Sequence, residues 1–367
     1  MPAIHQLVAG FSRGDAISNE SVVMRSLFRQ WGYESEIFCE QKRILPELRG
    51  EARDLSEVAE RVKDDDVVLL HLSIGSPANE VFPSLKGKKA ILYHNITPPE
   101  YFRLIQPATA QHLAKGREQA RALAGVATIN LADSQFNAEE LKQWGYANPR
   151  VLPLMLDFHR LTGGVDRAAV KRLSDGKKNV LFVGRCAPNK KIEDVITLFA
   201  YFQKAVQPES RLILAGSYAG TERYQRLLLT MVRDMKLENV EFMGSIPQAE
   251  LNACYRAADV FVCMSEHEGF CIPLIEALVQ GVPVLAYAAA AVPETLGGAG
   301  ILFGEKRFEE MAEMMGCVVR DKGLRQAVLA RQAERIGEYK GLDLAGDLRR
   351  YLGPVLPLKA VRKTQME

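Results

Sequence analysis

The stretch Ala258-Asp259-Val260-Phe261-Val262-Cys263-Met264-Ser265-Glu266-His267-Glu268-Gly269-Phe270-Cys271-Ile272-Pro273-Leu274-Ile275-Glu276-Ala277-Leu278-Val279-Gln280-Gly281-Val282-Pro283-Val284-Leu285 decides the fold. Val260 to Met264 is a short apolar, β-rich run and reads as a buried strand. A polar turn follows, from Ser265 to Gly269. Pro273 suits the first turn of a helix, where a missing N–H is no loss. Leu274, Ile275, Leu278 and Val279 give that helix an apolar stripe. Gly281 is placed to end it, and Val282 to Leu285 begin another strand. Strand, turn, helix, strand is the unit of a doubly wound parallel sheet. It opens a helix N-terminus at the carboxyl end of a strand, where backbone N–H groups and the macrodipole favour an anion. Gly269 would let backbone approach a ligand.

The same rhythm extends outward in both directions. Strands are expected at Asn179–Val183, Arg211–Ala215 and Val240–Met243, with helices at Ile192–Phe202, Glu222–Met235 and Gln248–Ala257. Further upstream, Ile4–Val8 is a strand, Gly10–Asp15 a polar turn, and Val22, Val23, Leu27 and Phe28 the apolar side of a helix. Strands at Glu36–Phe38, Val67–Leu72, Ala90–Asn95 and Thr128–Leu131 follow. Helices are expected at Pro107–Ala124 and from a Ser134 cap to Trp144. A chain of 367 residues suits two domains. The first is expected over residues 1–156. Residues 157–177 are polar and Gly-containing and read as a linker, and 178–341 form the second domain. Leu324 to Leu352 reads as a helical tail, stopped by Pro354 and Pro357.

Composition excludes several classes. A net charge of +2 gives no global reason to expect nucleic acid. No apolar run approaches membrane-spanning length. Met1 to His5 shows no signal-peptide pattern, which points to the cytoplasm. The six cysteines are scattered, mostly in apolar runs, as reduced cysteines are. Cys263, His267 and Cys271 are spaced by four, but a strand and a turn separate them, so no helix face joins them as metal ligands. Gly297, Gly298 and Gly300 precede a strand rather than a helix, which is a poor dinucleotide fingerprint.

Two carboxylates frame the turn. Alone, Glu276 reads as a first-turn acid that complements the helix dipole, and Glu268 as a solvated loop acid. Together, Glu268-Gly269-Phe270-Cys271-Ile272-Pro273-Leu274-Ile275-Glu276 resembles the E-x7-E signature of the retaining family 4 glycosyltransferases. That resemblance implies the GT-B fold: two Rossmann-like doubly wound domains facing a central cleft, with a C-terminal helix, about 342–367 here, crossing back to the first domain. Cys271 stands where that family usually has Gly, so a positive φ there would be strained.

A second element agrees. Gly184-Arg185-Cys186-Ala187-Pro188-Asn189-Lys190 matches the family's G-R-x-x-x-x-K pattern, whose Arg and Lys grip the donor pyrophosphate. Asn189 reads as an N-cap, with Lys190 and Lys191 in the first helical turn, the wrong end for a cation unless an anion binds. Lys191 replaces the family's usual Gly. The resemblance further implies donor contacts at Gly14, Asp15, Gly216, Gly244, Ser245, Glu268, Gly269, Phe270, Cys271, Ile272, Pro273, Leu274 and Glu276. It makes Glu276 the partner of the ribose hydroxyls, and His94, Arg185, Lys190 and Glu268 the catalytic group. Locally, Gly14-Asp15 also reads as an ordinary turn with Asp15 as N-cap, and His94 as a structural strand-end residue. His71, Ser73 and Asn95 are acceptor-side candidates, because they end neighbouring strands on the edge where open sheets bind ligands.

The expected partners are a nucleotide-sugar donor and a glycan or lipid-linked acceptor, with no cofactor and no metal. Asp64-Asp65-Asp66 contains a D-x-D pattern, but it precedes a strand instead of following one. Lys86, Lys88 and Lys89, with Lys359, Arg362 and Lys363, offer basic charge for an anionic membrane, or are solvated surface lysines. An inactive scaffold that keeps the fold, a sugar-binding protein and an enzyme making a small soluble glycoside are the competing readings.

Overall fold

A computed structural model describes residues 2–356, which divide into two compact units. The first holds the chain up to Pro98, Gln111–Leu156 and the residues from Asp343; the second holds Pro99–Ala110 and Asp157–Leu342.

The first unit is a seven-stranded parallel sheet. Its strands are β1 (Ile4–Leu7), β2 (Ile37–Cys39), β3 (Arg53–Asp54), β4 (Val67–Leu72), β5 (Lys88–Tyr93), β6 (Ile129–Ala132) and β7 (Arg150–Val151), in the spatial order β3-β2-β1-β4-β5-β6-β7. The near-continuous apolar run of β4 follows from burial of both sheet faces, and every residue of β1 and β4 is buried. Met24 and Phe28 of the helix Ala16–Gln30 pack into the same core as Val67, Leu69 and Leu92.

The second unit repeats the scheme with six parallel strands. They are β8 (Lys178–Val183), β9 (Ser210–Ala215), β10 (Val240–Gly244), β11 (Val260–Cys263), β12 (Val284–Tyr287) and β13 (Ile301–Phe303), in the order β10-β9-β8-β11-β12-β13. In both units the strand order reverses beside the first strand. The loops leaving the carboxyl ends at β1/β4 and β8/β11 therefore lie at a topological switch point, where doubly wound sheets bind ligands.

Three boundaries differ from the sequence reading. Residues 157–177 are no irregular linker: they form the helices Phe158–Thr162 and Arg167–Leu173 and cluster with the second unit. Asp157 and Asp166 cap them, each accepting two backbone N–H bonds, and Leu161, Ala169 and Leu173 are buried. The glycines at 163 and 164 end one short helix and do not signal a flexible tether. Pro99–Ala110 also belongs to the second unit, where Ile105 packs against the core around Phe182 and Phe199. The helical tail is two helices, Lys322–Lys340 and Leu344–Leu352, broken at Gly341 and restarted by Asp343, which accepts the Gly346 N–H. Leu348, Leu352 and Val355 of this last segment are buried in the first unit's core. The expected helix extended to 367, and its part from 357 onward lies outside the described residues.

Candidate active site

In the second unit the loops after β8 and β11 are stitched together. The Glu266 N–H donates to the Asn189 carbonyl at 3.0 Å, and Asn189 Nδ2 donates to the His267 carbonyl at 3.0 Å. This brings Lys190 onto Glu268: Nζ lies 2.6 Å from Oε1 and 2.5 Å from Oε2. Burial opposes the charge on Lys190, but the Glu268 carboxylate outweighs it and holds the ammonium pKa above its ordinary value. Arg185 stands exposed on the same loop.

Asn189 is not a helix cap. Pro188–Lys190 is a 3₁₀ turn, Lys191 has φ 51°, and the α-helix runs Ile192–Tyr201 with Glu193 and Asp194 in its first turn. Those acids suit the dipole, so the expected penalty of two first-turn lysines does not arise. Lys191 Nζ lies 3.4 Å from Glu193 and 3.7 Å from Glu266, which gives this extra cation partners.

The helix Ile272–Val279 begins after β11, with Pro273 in its first turn and no side-chain cap at Cys271. Ile272 and Pro273 are partly exposed at its mouth, whereas Phe270 and Leu274 are buried. Glu276 is in the second turn, so it is not the first-turn acid that complements the dipole. It is buried, and Tyr255 Oη donates to its Oε2 at 2.8 Å. Burial lifts its carboxyl pKa, and Tyr255 and Arg160 oppose that.

The glycines are held by close approach. A Cβ on Gly216 would lie 1.9 Å from the Gly184 carbonyl oxygen, which no side chain survives. Gly184, Gly216 and Gly244 line one narrow crevice with Phe182, Tyr218 and Phe242, and Ser245 is exposed just beyond β10. The positive φ expected around the E-x7-E turn falls on Cys271, at 72°, and not on Gly269. Both positions where this chain departs from the signature's glycines, Lys191 and Cys271, therefore have left-handed backbone. A left-handed non-glycine residue costs roughly 1–2 kcal/mol, and the extra unfolded-state freedom of Gly offsets about half of that. Lys191→Gly is expected to raise stability by up to about 1 kcal/mol in urea unfolding. A loss of stability would show that this backbone is unstrained.

In the first unit Gly14 has φ 75°, and Asp15 caps the helix Ala16–Gln30. Its Oδ2 accepts from Ser18 N at 2.8 Å and from Ser18 Oγ at 2.7 Å, so the local reading of Asp15 holds. Asp15 also lines a cavity of about 320 Å³ with Gly10, Ser12, Arg43 and Ser73; Gly14 does not. A second cavity, about 350 Å³, opens at the β2/β3 edge among Glu36, Glu51 and Arg53, whose charges are already paired. Asn95 has φ 79° and donates through Nδ2 to Asn137 at 2.7 Å.

His94 and His71 end up behind this surface. His71 is wholly buried and so cannot touch an acceptor, which corrects its expected place. The His94 side chain is 2% exposed. Gln6 Nε2 donates to the Ser21 carbonyl, which turns Gln6 Oε1 toward His71 Nε2 at 2.9 Å. His71 Nε2 therefore carries the proton, His71 Nδ1 is a bare acceptor, and His94 Nε2 donates to it at 3.0 Å. His94 Nδ1 faces Asp133 at 3.6 Å, and Glu20 Oε2 lies 3.7 Å from His94 Nε2. Burial works against a charged His94, but Asp133, Glu20 and Asp15 outweigh it and hold its pKa above the ordinary imidazole value. Burial lowers the His71 pKa well below that value, with the His94 charge adding to it. Glu20, His71 and His94 could in principle be metal ligands. However, the rings are coplanar within 5° with centroids 5.2 Å apart, so the two nitrogens face each other in line. An in-line metal needs an N···N distance of about 4.1 Å, and 3.0 Å leaves room for a proton alone.

Glu20 was not legible as a site residue. Its signal is its spacing with Met24 and Phe28, an acid on the buried face of an apolar stripe. Burial lifts its carboxyl pKa to about 7 from 4.5, against the opposing His94 charge and the Met155 N–H. The fold then keeps a proton that the unfolded chain has released. Stability is expected to fall as pH rises from about 4.5 to about 7, by on the order of 3 kcal/mol. Glu20→Gln should flatten that slope in urea unfolding followed across pH. An unchanged slope would assign it to other groups.

Comparison with known proteins accords with this geometry. Residues 166–339, nearly all of the second unit, match the family of glycosyl transferases group 1. D-inositol 3-phosphate glycosyltransferase of Segniliparus rotundus is 28% identical over 247 residues, 63% of this chain and 55% of that protein. GDP-mannose-dependent alpha-mannosyltransferase of Mycolicibacterium smegmatis is 37% identical over 112 residues, 30% of this chain and 26% of that protein. The chain thus spans about half the length of these relatives, or less. Among solved structures, Anabaena HepE in complex with UDP and glucose superposes on 96% of this chain and 100% of its own, with a TM-score of 0.69 at 18% identity. Sucrose-phosphate synthase from Thermosynechococcus elongatus does so with a TM-score of 0.72 at 18% identity, again over 96% and 100% of the two chains. The fold class is that of the GT-B glycosyltransferases, with two Rossmann-like domains in one chain.

Proposed function

We propose that this chain is a retaining, family 4 glycosyltransferase that moves a hexose-type sugar from a nucleotide-sugar donor to a hydroxyl of a glycan or lipid-linked acceptor. The observation that carries the reading is the meeting of Lys190 with Glu268 at the β8/β11 switch point, flanked by Arg185 and by Glu276 in the next helix. Two cations and an uncapped helix start suit a diphosphate. As the bond from sugar to β-phosphate breaks, negative charge grows on the leaving oxygen. Arg185, Lys190 and the N–H groups at the start of Ile272–Val279 stabilise that charge without a metal. Lys190 exchanges Glu268 for phosphate in this step. The departing oxygen takes the acceptor proton, so transfer with retention needs no enzyme nucleophile.

The relatives and the structural neighbours named for glycosyl transfer favour a transferase over an inactive scaffold or a sugar-binding protein. The sucrose-phosphate synthase likeness keeps a small soluble acceptor as the alternative, and an acceptor panel separates the two. Work on surface polysaccharide or another glycoconjugate, at the cytoplasmic face of a membrane, completes the reading. Among the described residues no helix is long and apolar enough to cross a membrane. Lys86 and Lys88 are exposed and offer charge for peripheral docking, whereas Lys89 Nζ donates to the Leu85 carbonyl. Lys359, Arg362 and Lys363 lie outside the described residues.

The test is Glu276. Its carboxylate receives the ribose hydroxyls in this reading, so Glu276→Ala is expected to weaken nucleoside diphosphate binding by about 1.5–3 kcal/mol, as for a bond to a charged group. Calorimetry with the free diphosphate reads this, and unchanged affinity would remove the role.

A further inference from the structure

Spacing along the chain excluded a helix face shared by Cys263, His267 and Cys271, yet folding brings two of them together with a different third residue. Cys263 ends β11, and Cys271 precedes the helix Ile272–Val279. Their Sγ atoms are 4.0 Å apart, and a Glu268 carboxylate oxygen lies within 4.8 Å of both. All three residues are buried, and both thiols are free. His267 contributes no ligand atom to this cluster. We propose that Cys263, Cys271 and Glu268 form a Zn²⁺ site inside the second unit, beside Lys190.

The geometry suits that ion. With Zn–S bonds near 2.3 Å, two thiolates in a tetrahedral site lie about 3.8 Å apart, so the thiols need shift by only a few tenths of an ångström. Two sulfurs and one carboxylate select a borderline-soft cation such as Zn²⁺ over Mg²⁺ or Ca²⁺, which want oxygen shells. Three protein ligands leave the fourth position to water. Charge also balances. The ion-free cluster holds two neutral thiols, one carboxylate and the Lys190 ammonium. Binding one Zn²⁺ releases the two thiol protons, so the ion's charge is matched by two thiolates and the cluster stays neutral. Lys190 is the most exposed member, its side chain 20% accessible, so the ion enters by displacing it from Glu268. The backbone adds an independent observation. Cys271 occupies a left-handed position, φ 72°, where Gly would be free of strain. A ligating thiol would account for a side chain held at this strained position.

The inference rests on the geometry of the second unit and holds whether or not the proposed reaction is right. The reduced full-length chain is titrated with Zn²⁺ against a chromophoric chelator, and with Cd²⁺ to read thiolate-to-metal charge-transfer absorption. One equivalent is expected, with two protons released. Cys263→Ser, Cys271→Gly and Glu268→Gln should each weaken binding at least about tenfold, and both thiol variants should diminish the Cd²⁺ band. Cys317→Ser, at the exposed cysteine, should change neither. Cys271→Gly restores the residue its backbone favours, so its fold should persist in thermal unfolding and its loss of metal is readable. No charge-transfer band, or binding that survives both thiol variants or follows Cys317, would overturn the site. Occupation takes the Glu268 partner from Lys190, so Zn²⁺ should also lower donor turnover, and EDTA should restore it. That last readout alone depends on the proposed function.

Discussion

His94→Ala is expected to reduce turnover by about 10²–10⁴, the range for a positioned polar catalytic group, while donor affinity moves little. The family resemblance placed His94 in the catalytic group. Inside the first unit His94 Nε2 is hydrogen-bonded to His71, and Nδ1 faces the Asp133 carboxylate at 3.6 Å. The role proposed for His94 is to supply a positive charge, favoured by the Asp133 carboxylate facing its Nδ1. Removing it takes a cation away from the buried Asp133 carboxylate, which is expected to destabilise as well as inactivate. His94→Gln separates the two effects, because an amide can bond to His71 and Asp133 while carrying no charge. A folded His94→Gln protein with low turnover supports the charge. Normal turnover would reduce His94 to a structural residue.

Lys190→Ala should cost about 10²–10³ in kcat, the effect of removing one group that stabilises transition-state charge. Donor binding should weaken too, since phosphate is present in both ground and transition states. The variant also leaves Glu268 buried without its partner. The double variant Lys190→Ala, Glu268→Gln removes that unpaired charge. It should recover stability without recovering turnover. Recovered turnover would mean that Lys190 serves only to neutralise Glu268. In the same assay the wild type should keep its activity in EDTA, and a strict requirement for Mg²⁺ or Mn²⁺ would assign the diphosphate charge to a metal.

Much of the fold was legible because both halves repeat one physical pattern. Buried parallel strands carry apolar runs, as in Val67–Leu72 and over Leu212 to Ala215, and the helix Gln248–Ala257 is bounded where its periodicity stops. Short, aspartate-capped helices were not legible. Phe158–Thr162 and Arg167–Leu173 are too short for a period to emerge, and their glycines and charges imitate a linker. The β8/β11 motif residues were legible by resemblance, and so was the strain at Cys271. Side-chain orientation was not. Nothing in Leu70-His71-Leu72 or Tyr93-His94-Asn95 shows that the two imidazoles face one another across β4 and β5. Glu20 and Tyr255 were missed for the same reason: each is a polar group on a buried face, defined by its partner and not by its neighbours in sequence.

In the proposed function the second unit binds a nucleotide sugar through Glu276 and the Arg185–Lys190 loop. Protection against thermal unfolding by a panel of nucleotide sugars tests it most directly, because no acceptor need be known. A ligand at 100 times its Kd adds about 2.7 kcal/mol, a shift of several degrees. At least one nucleotide sugar is expected to protect the wild type, and Glu276→Ala is expected to lose most of that protection. A panel in which none protects at millimolar concentration, or protection that Glu276→Ala leaves intact, would contradict it.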